Sequence, residues 1–370
     1  MAPEPEINPR GVSNTRASQD ENSSREGGVR FPEQVARGVY RICVPLPNNP
    51  LRAVNSYVVM DSHRPLVIDL GFDLQECYDV LTSGLAALDL TWDDVDVFFT
   101  HGHPDHCGMV NMVERPSTTF YAGFSSFYEP QEVHHVDNRG FRAWIQGAYE
   151  FLPQGVSRPQ VTPEEKLQII QHSIDYSSME EVVIPSSSVM PQVLHDGDVF
   201  TRGGRNFKVI ETKGHSEGHL CLYDPDDKLL FCGDQMLAKI TPVVSTFALG
   251  KPVLKEFIAS TKALGQLGAR LALGGHRDPI LDVARRADEL VEHHGRRNDE
   301  IVCALENGAL GLVEITKSIT WRSPIPNWDD WPLKQKFFSM GETLAHLSYL
   351  ESEGRVGHQI EGSGVLFSVI

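Results

Sequence analysis

Three imidazoles and a carboxylate fall within the stretch Thr100-His101-Gly102-His103-Pro104-Asp105-His106, directly after an apolar run. Imidazole and carboxylate together suit zinc, which accepts N and O ligands at about 2.0 to 2.2 Å. A loop leaving a strand can turn His101 and His103 toward one point, while Asp105 and His106, opening the next helix, face a second. Open α/β sheets habitually place ligands at such strand ends. A plain His-rich turn with Asp105 as helix N-cap is the competing reading. It weakens because the pattern recurs after other apolar runs: His215 in Thr212-Lys213-Gly214-His215, Asp234 in Phe231-Cys232-Gly233-Asp234, and His276 in Gly274-Gly275-His276. The neighbouring glycines permit the close backbone turns that a crowded metal site demands.

The elements that must position these residues are legible as periodicity. Runs at 39–44, 53–60 and 65–69 have strand character and are separated by turn residues, reading as strands of a sheet edge. Helical spacing over 74–90 leads to a short buried strand at Val95, Phe98 and Phe99, which runs into the His-rich stretch and makes a β-α-β opening. Residues 124–190 are richer in aromatics and helix formers and read as an insertion. Strands return at 207–212, 220–223 and 229–232, with Asp224-Pro225-Asp226-Asp227 as a hairpin turn. A helix over 252–267 precedes Leu271-Ala272-Leu273 and His276. Beyond Pro279 the spacing predicts helices at 284–305, 313–319 and 334–353 and a terminal hairpin, the outline of a winged helix. The chain thus divides into a tail at 1–28 too polar to offset its ordering entropy, a domain at 29–280, and a winged-helix-like domain at 281–370.

With 370 residues there is enough chain for a large α/β core. The formal charge of -17 repels a phosphate backbone, so nucleic acid is not an expected partner. No apolar run reaches the roughly 20 residues of a membrane helix and no signal-peptide core opens the chain, so a cytoplasmic protein without a membrane partner is expected. The six cysteines are scattered without paired spacing and read as reduced thiols.

On these motifs the chain resembles the metallo-β-lactamase superfamily, whose H-x-H-x-D-H motif is matched by His101 through His106. The resemblance implies an αββα sandwich with a helical insertion, and two metals at the site. One would be held by His101, His103 and His215, the other by Asp105, His106 and His276, with Asp234 bridging. Two Zn2+ are expected, although the same donors also suit Fe or Mn. Asp69, in Val67-Ile68-Asp69-Leu70-Gly71, matches an Asp that supports the site without binding metal. The family pattern uses His215 but not His219, which is read as a supporting or structural side chain. True β-lactamases lack the bridging Asp, so Asp234 argues against antibiotic hydrolysis; flavodiiron relatives carry an acid where His103 stands, which argues against redox chemistry.

Hydrolysis remains: a binuclear zinc-dependent attack by metal-bound hydroxide on an ester, thioester or lactone carbonyl, with Asp105 as the catalytic residue that orients the nucleophile and shuttles a proton. The partner is then a small-molecule acyl substrate. Phe127, Tyr128, Phe141, Trp144 and Tyr149 of the insertion would form either a cap over the metals or a private core. An apolar face between insertion and C-terminal helices would serve as that cap or as a homodimer contact. The alternative is an endoribonuclease on single-stranded RNA. His294-Gly295-Arg296-Arg297-Asn298-Asp299-Glu300-Ile301 and the ending near Glu353-Gly354-Arg355 resemble the winged-helix ending of β-lactamase-like proteins that include a mitochondrial endoribonuclease and fungal polyketide thioesterases. Its basic candidates, Arg285, Arg286, Arg296 and Arg297, are interleaved with Glu289, Glu292, Asp299 and Glu300 and read as a solvated mixed-charge face on which His293 and His294 are partly exposed. A silent metal-containing binder is the third class, disfavoured by the complete ligand set.

Overall fold

Strand β3, Ala53–Val59, sends Val54 and Val58 into one core layer and Tyr57 and Val59 into another, the period-2 alternation of a strand buried on both faces. It belongs to a computed structural model that describes residues 32–47, 49–123, 189, 191–246, 250–361 and 364–370. The expected tail at 1–28 and the aromatic cap candidates lie outside the described residues.

The first sheet runs in chain order: β1 (Glu33–Ala36), β2 (Val39–Pro45), β3, β4 (Leu66–Ile68), β5 (Asp96–Phe98), β6 (Phe120–Gly123) and β7 (Gln192–Leu194). Its pairs are antiparallel up to β4 and parallel beyond. The second sheet has the order β12-β11-β10-β9-β8, from β8 (Val199–Arg202), β9 (Arg205–Glu211), β10 (Leu220–Asp224), β11 (Leu229–Gly233) and β12 (Leu271–Gly274); only the β11–β12 pair is parallel. The two sheets face each other across Tyr57, Ile68 and Phe98 on one side and Phe207, Leu222 and Phe231 on the other. Phe231 meets Tyr57 and Phe207 edge-on, with ring centroids 5.5 and 5.9 Å apart. Burying such a ring is worth about 1.5 to 3 kcal/mol.

Helices close both outer faces. Leu81 and Leu85 of α1 (Gln75–Ala86) pack on Ile42, Val58 and Val97, beside the short α2 (Pro104–Cys107) and α3 (Val110–Val113). Leu264 of α4 (Val253–Gly265) and Ala287 and Leu290 of α5 (Val283–Leu305) pack on Cys221, Leu230 and Ala272. The result is the expected αββα sandwich. Among the described residues no helix is long and apolar enough to cross a membrane.

Past the sandwich, α5 continues into a second core with β13 (Leu310–Gly311), α6 (Leu312–Ser318), α7 (Leu333–Ser352), β14 (Val356–Glu361) and β15 (Gly364–Val369). β15 lies between β13 and β14. Ala345 of α7 packs back onto Leu254 and Phe257 of α4.

Two side chains expected on a wetted face are buried instead, because α5 extends beyond the second sheet and α7 covers it. Arg297 pairs with Glu342 at 2.6 Å, donates to Thr320 O and lies 4.1 Å from the Trp321 ring centre. His294 is fully buried beside Phe257. Since His346 Nδ1–H donates to Asn298 Oδ1 at 2.7 Å, its Nε2 accepts from His294 Nδ1–H at 3.3 Å, an arrangement that requires the His346 ring neutral. Burial accordingly pushes His294 down to about 3 and His346 well below the ordinary imidazole value. The unfolded chain takes up these protons near the ordinary value of 6.5 while the folded chain does not. Their contribution to stability is therefore complete above that pH and is lost as pH falls, by about 1.4 kcal/mol per pH unit for each imidazole. The Tm of the chain should drop as the solution is acidified toward about pH 5, and His346→Leu should flatten that dependence.

Candidate metal centre

Two parallel strand pairs, β4–β5 in one sheet and β11–β12 in the other, end at one rim of the sandwich, and each strand is followed by a turn that carries a polar side chain inward. Asp69 follows β4, the His101–His106 stretch follows β5, Asp234 follows β11 and His276 follows β12, while His215 enters from the turn after antiparallel β9. Glycine is required beside two of them. Gly214 has φ +112 and is seated on the backbone of Phe257, and a Cβ on Gly275 would stand 2.5 Å from both Asp234 Oδ1 and His106 Cε1.

The side chains converge in two groups. His101 Nε2, His103 Nδ1 and His215 Nε2 stand 2.9, 3.1 and 3.3 Å from one another. His276 Nε2 lies 3.3 Å from Asp105 Oδ2, and His106 Nε2 lies 3.9 Å from the same oxygen. Asp234 reaches both groups, its carboxylate oxygens standing 3.3 Å from His276 Nε2, 3.7 Å from His106 Nε2 and 4.0 Å from His215 Nε2.

Backbone and carboxylate acceptors fix which ring nitrogen faces the centre. A carbonyl only accepts, so His215 Nδ1–H donates to Val243 O at 2.8 Å and His276 Nδ1–H to Ala53 O at 2.7 Å. His106 Nδ1–H donates to Asp69 Oδ2 at 2.7 Å. The Thr100 hydroxyl donates to the same oxygen at 2.7 Å and therefore accepts from His101 Nδ1–H at 3.0 Å. In all four rings Nδ1 is committed to an acceptor, which turns Nε2 inward. Asp69 thus orients two rings at once, from a backbone φ of +58 that Asp adopts more readily than most residues.

His219 stands apart from this scheme. Its Nε2 accepts the Asp234 amide at 3.2 Å and its Nδ1–H donates to the Thr212 hydroxyl at 2.7 Å, so both nitrogens are used inside the protein. Cys107 and Cys232 are buried, and burial raises both thiols, in keeping with packing.

A divalent cation fits this donor set on two observations. First, His106 Nε2, His276 Nε2 and Asp234 Oδ1 are buried without a hydrogen-bond partner although they face one another. Leaving such atoms unpaired costs about 1 to 3 kcal/mol each. Second, burial and the neighbouring rings lower His103 to about 3 and depress His101, and burial lowers His215 too, which keeps these rings in the neutral form that a metal binds. Burial opposes ionisation of Asp105, but His106 and His276, both raised by the carboxylates around them and His276 to about 10, overcome it and hold the carboxyl at about 2. Among the described residues the groupings able to hold an ion are His101/His103/His215, His101/His106/Asp234 and Asp105/His106/His276. Thr100 and the carbonyls of Ala53 and Val243 escaped the sequence reading; a backbone acceptor leaves no mark in residue type.

Residues 49–117 and 134–276 match the metallo-beta-lactamase superfamily. The chain belongs to that superfamily and is a metal-dependent hydrolase. It is 23% identical over 311 residues to the probable metallo-hydrolase YqjP of Bacillus subtilis, covering 82% of this chain and 90% of that one. It is 28% identical over 145 residues to the atrochrysone carboxyl ACP thioesterase of Aspergillus fumigatus, covering 36% of this chain and 44%, less than half, of the thioesterase. The crystal structure of a metallo-beta-lactamase family protein from Thermus thermophilus superposes with a TM-score of 0.70 at 28% identity, over 90% of this chain and 99% of that one.

Removing Asp69 tests the orienting role. Partners of this kind are worth about 10 to 100-fold in metal affinity. Asp69→Ala should lose affinity in that range, measured by competition with a chromophoric chelator.

Proposed function

We propose that this chain is a binuclear zinc hydrolase of small acyl compounds, with thioesters preferred over oxygen esters and lactones. The carrying observation is the cluster of buried, unpartnered His106 Nε2, His276 Nε2 and Asp234 Oδ1 beside three converging ring nitrogens. In this reading His101, His103 and His215 hold one cation, Asp105, His106 and His276 hold the other, and Asp234 serves both. Bound zinc lowers the pKa of water toward neutrality and polarises the attacked carbonyl.

The chain's own residues supply orientation. Asp105, ionised at neutral pH, accepts a hydrogen bond from the attacking water with a lone pair not turned to His276. As a proposed cation ligand Asp105 is a poor acid near neutrality, which favours a leaving group that departs without a proton. A thiolate, with a parent pKa of about 8.5, meets that condition far better than an alkoxide. The relative named as a thioesterase supports the same preference.

Residues 29–280 form the metal-binding domain in this proposal and 281–370 a winged-helix-like ending. The succession of helix, strand, two helices and hairpin, with β15 between β13 and β14, supports it. RNA is not favoured, because the arginines of α5 are engaged: Arg285 and Arg286 with Glu289, Arg296 with Glu292 and Arg297 with Glu342.

The test is zinc-reconstituted protein assayed on acyl thioesters, oxygen esters, lactones and single-stranded RNA at two salt concentrations. Thioester hydrolysis should be fastest and disappear in His103→Ala. RNA cleavage that disappears in His103→Ala and weakens with salt would overturn the proposal.

A further inference from the structure

The segment from Asp234 to Val243 links two parts of the metal centre, the carboxylate that reaches both groups and the carbonyl that orients His215. It runs through turns and bends without strand or helix, anchored within its own backbone at its start by the bond from Gln235 N to Cys232 O at 3.0 Å. Both ends are tied down. Gln235 Nε2 donates to Phe257 O at 3.2 Å and to the Thr261 hydroxyl at 3.0 Å, while Val244 is buried against Leu254 and Phe257, and the Thr246 amide donates to Gly341 O at 3.1 Å.

Midway, one side chain from α5 takes hold of the segment. Arg286 Nε donates to Leu237 O at 2.7 Å and its Nη2 to Ile240 O at 2.9 Å, while Nη1 meets Glu289 Oε2 at 3.1 Å. The gripped carbonyls lie three residues after Asp234 and three before Val243. The guanidinium is largely covered, with 15% of the side chain exposed, so these charge-assisted bonds are little screened. Arg285, one residue earlier, pairs with the same Glu289 but is 75% exposed.

We propose that Arg286 is a positioning residue for the metal centre: its fork on Leu237 O and Ile240 O places the Val243 carbonyl, which holds His215 with Nε2 facing His101 and His103. A lysine cannot reproduce the fork, because its ammonium is a single point donor on a flexible stem. Through Arg286 the first helix of the C-terminal ending becomes part of the metal centre. The inference rests on the metal assignment proposed above.

The test uses the full chain stripped of metal and titrated with Co2+ against a competing chelator, recording affinity and the visible cobalt spectrum. The variants are Arg286→Met and Arg286→Lys, with Arg285→Gln as control; Arg286→Lys keeps the charge and stands in if Arg286→Met does not fold. The expected result is wild-type far-ultraviolet dichroism, binding weakened about 10 to 100-fold and an altered cobalt spectrum, with Arg286→Lys intermediate and Arg285→Gln unchanged. A folded Arg286 variant with wild-type affinity and spectrum would overturn the inference alone, even if its Tm fell. No cobalt uptake by the wild type would overturn the metal assignment and the inference together.

Discussion

Asp105→Asn should leave the fold intact and lower kcat by about 10² to 10⁴, the range typical of a positioned acid or base. The substitution keeps shape and volume at a side chain that is 14% exposed, so packing gives it little reason to unfold. What changes is charge. The carboxylate is held ionised against burial by His106 and His276, and an amide offers neither that charge nor a second acceptor oxygen. Because Asp105 is also proposed to bind a cation, the assay belongs at saturating zinc with metal content measured in parallel. A kcat that recovers fully when the variant carries both metals would show that Asp105 does nothing beyond holding one of them.

Asp234→Ala should be more severe, since this is the side chain whose oxygens approach His276, His106 and His215 together. Its loss leaves the buried Nε2 atoms of His106 and His276 facing a void. Even an outer partner of a metal ligand is worth about 10 to 100-fold in affinity or activity, so a carboxylate shared by both groups should cost more than about two orders of magnitude. The expected result is a folded chain with less than one metal and no detectable turnover, read by elemental analysis and the thioester assay. Wild-type metal content in this variant would remove Asp234 from the centre.

Much of this arrangement was visible in the residues, for physical reasons. Ligands clustered at strand ends must be preceded by apolar runs and flanked by residues that permit tight turns, and Phe98-Phe99, Phe231-Cys232 and Leu271-Ala272-Leu273 with their following glycines carry that signature. The parallel pairing of β4 with β5 and of β11 with β12 then aims those ends at one rim. Short strands left weaker traces. Gln192–Leu194 and Leu310–Gly311 are too brief to show alternation and exist because a neighbour offers hydrogen bonds in register. The burial of His294 was likewise invisible, since its partner His346 lies 52 positions away on α7 and the local pattern of α5 is mixed charge. Arg286 reads as one more surface arginine until the carbonyls of Leu237 and Ile240 are placed beneath it.

Seven side chains, His101, His103, Asp105, His106, His215, Asp234 and His276, are proposed to hold two divalent cations at the rim of the sandwich. Elemental analysis of protein purified without chelator and reconstituted with zinc tests this assignment most directly. The expected result is about two metals per chain, the number a two-metal hydrolytic site requires. Only trace metal after reconstitution, or full content retained in Asp234→Ala, would contradict it.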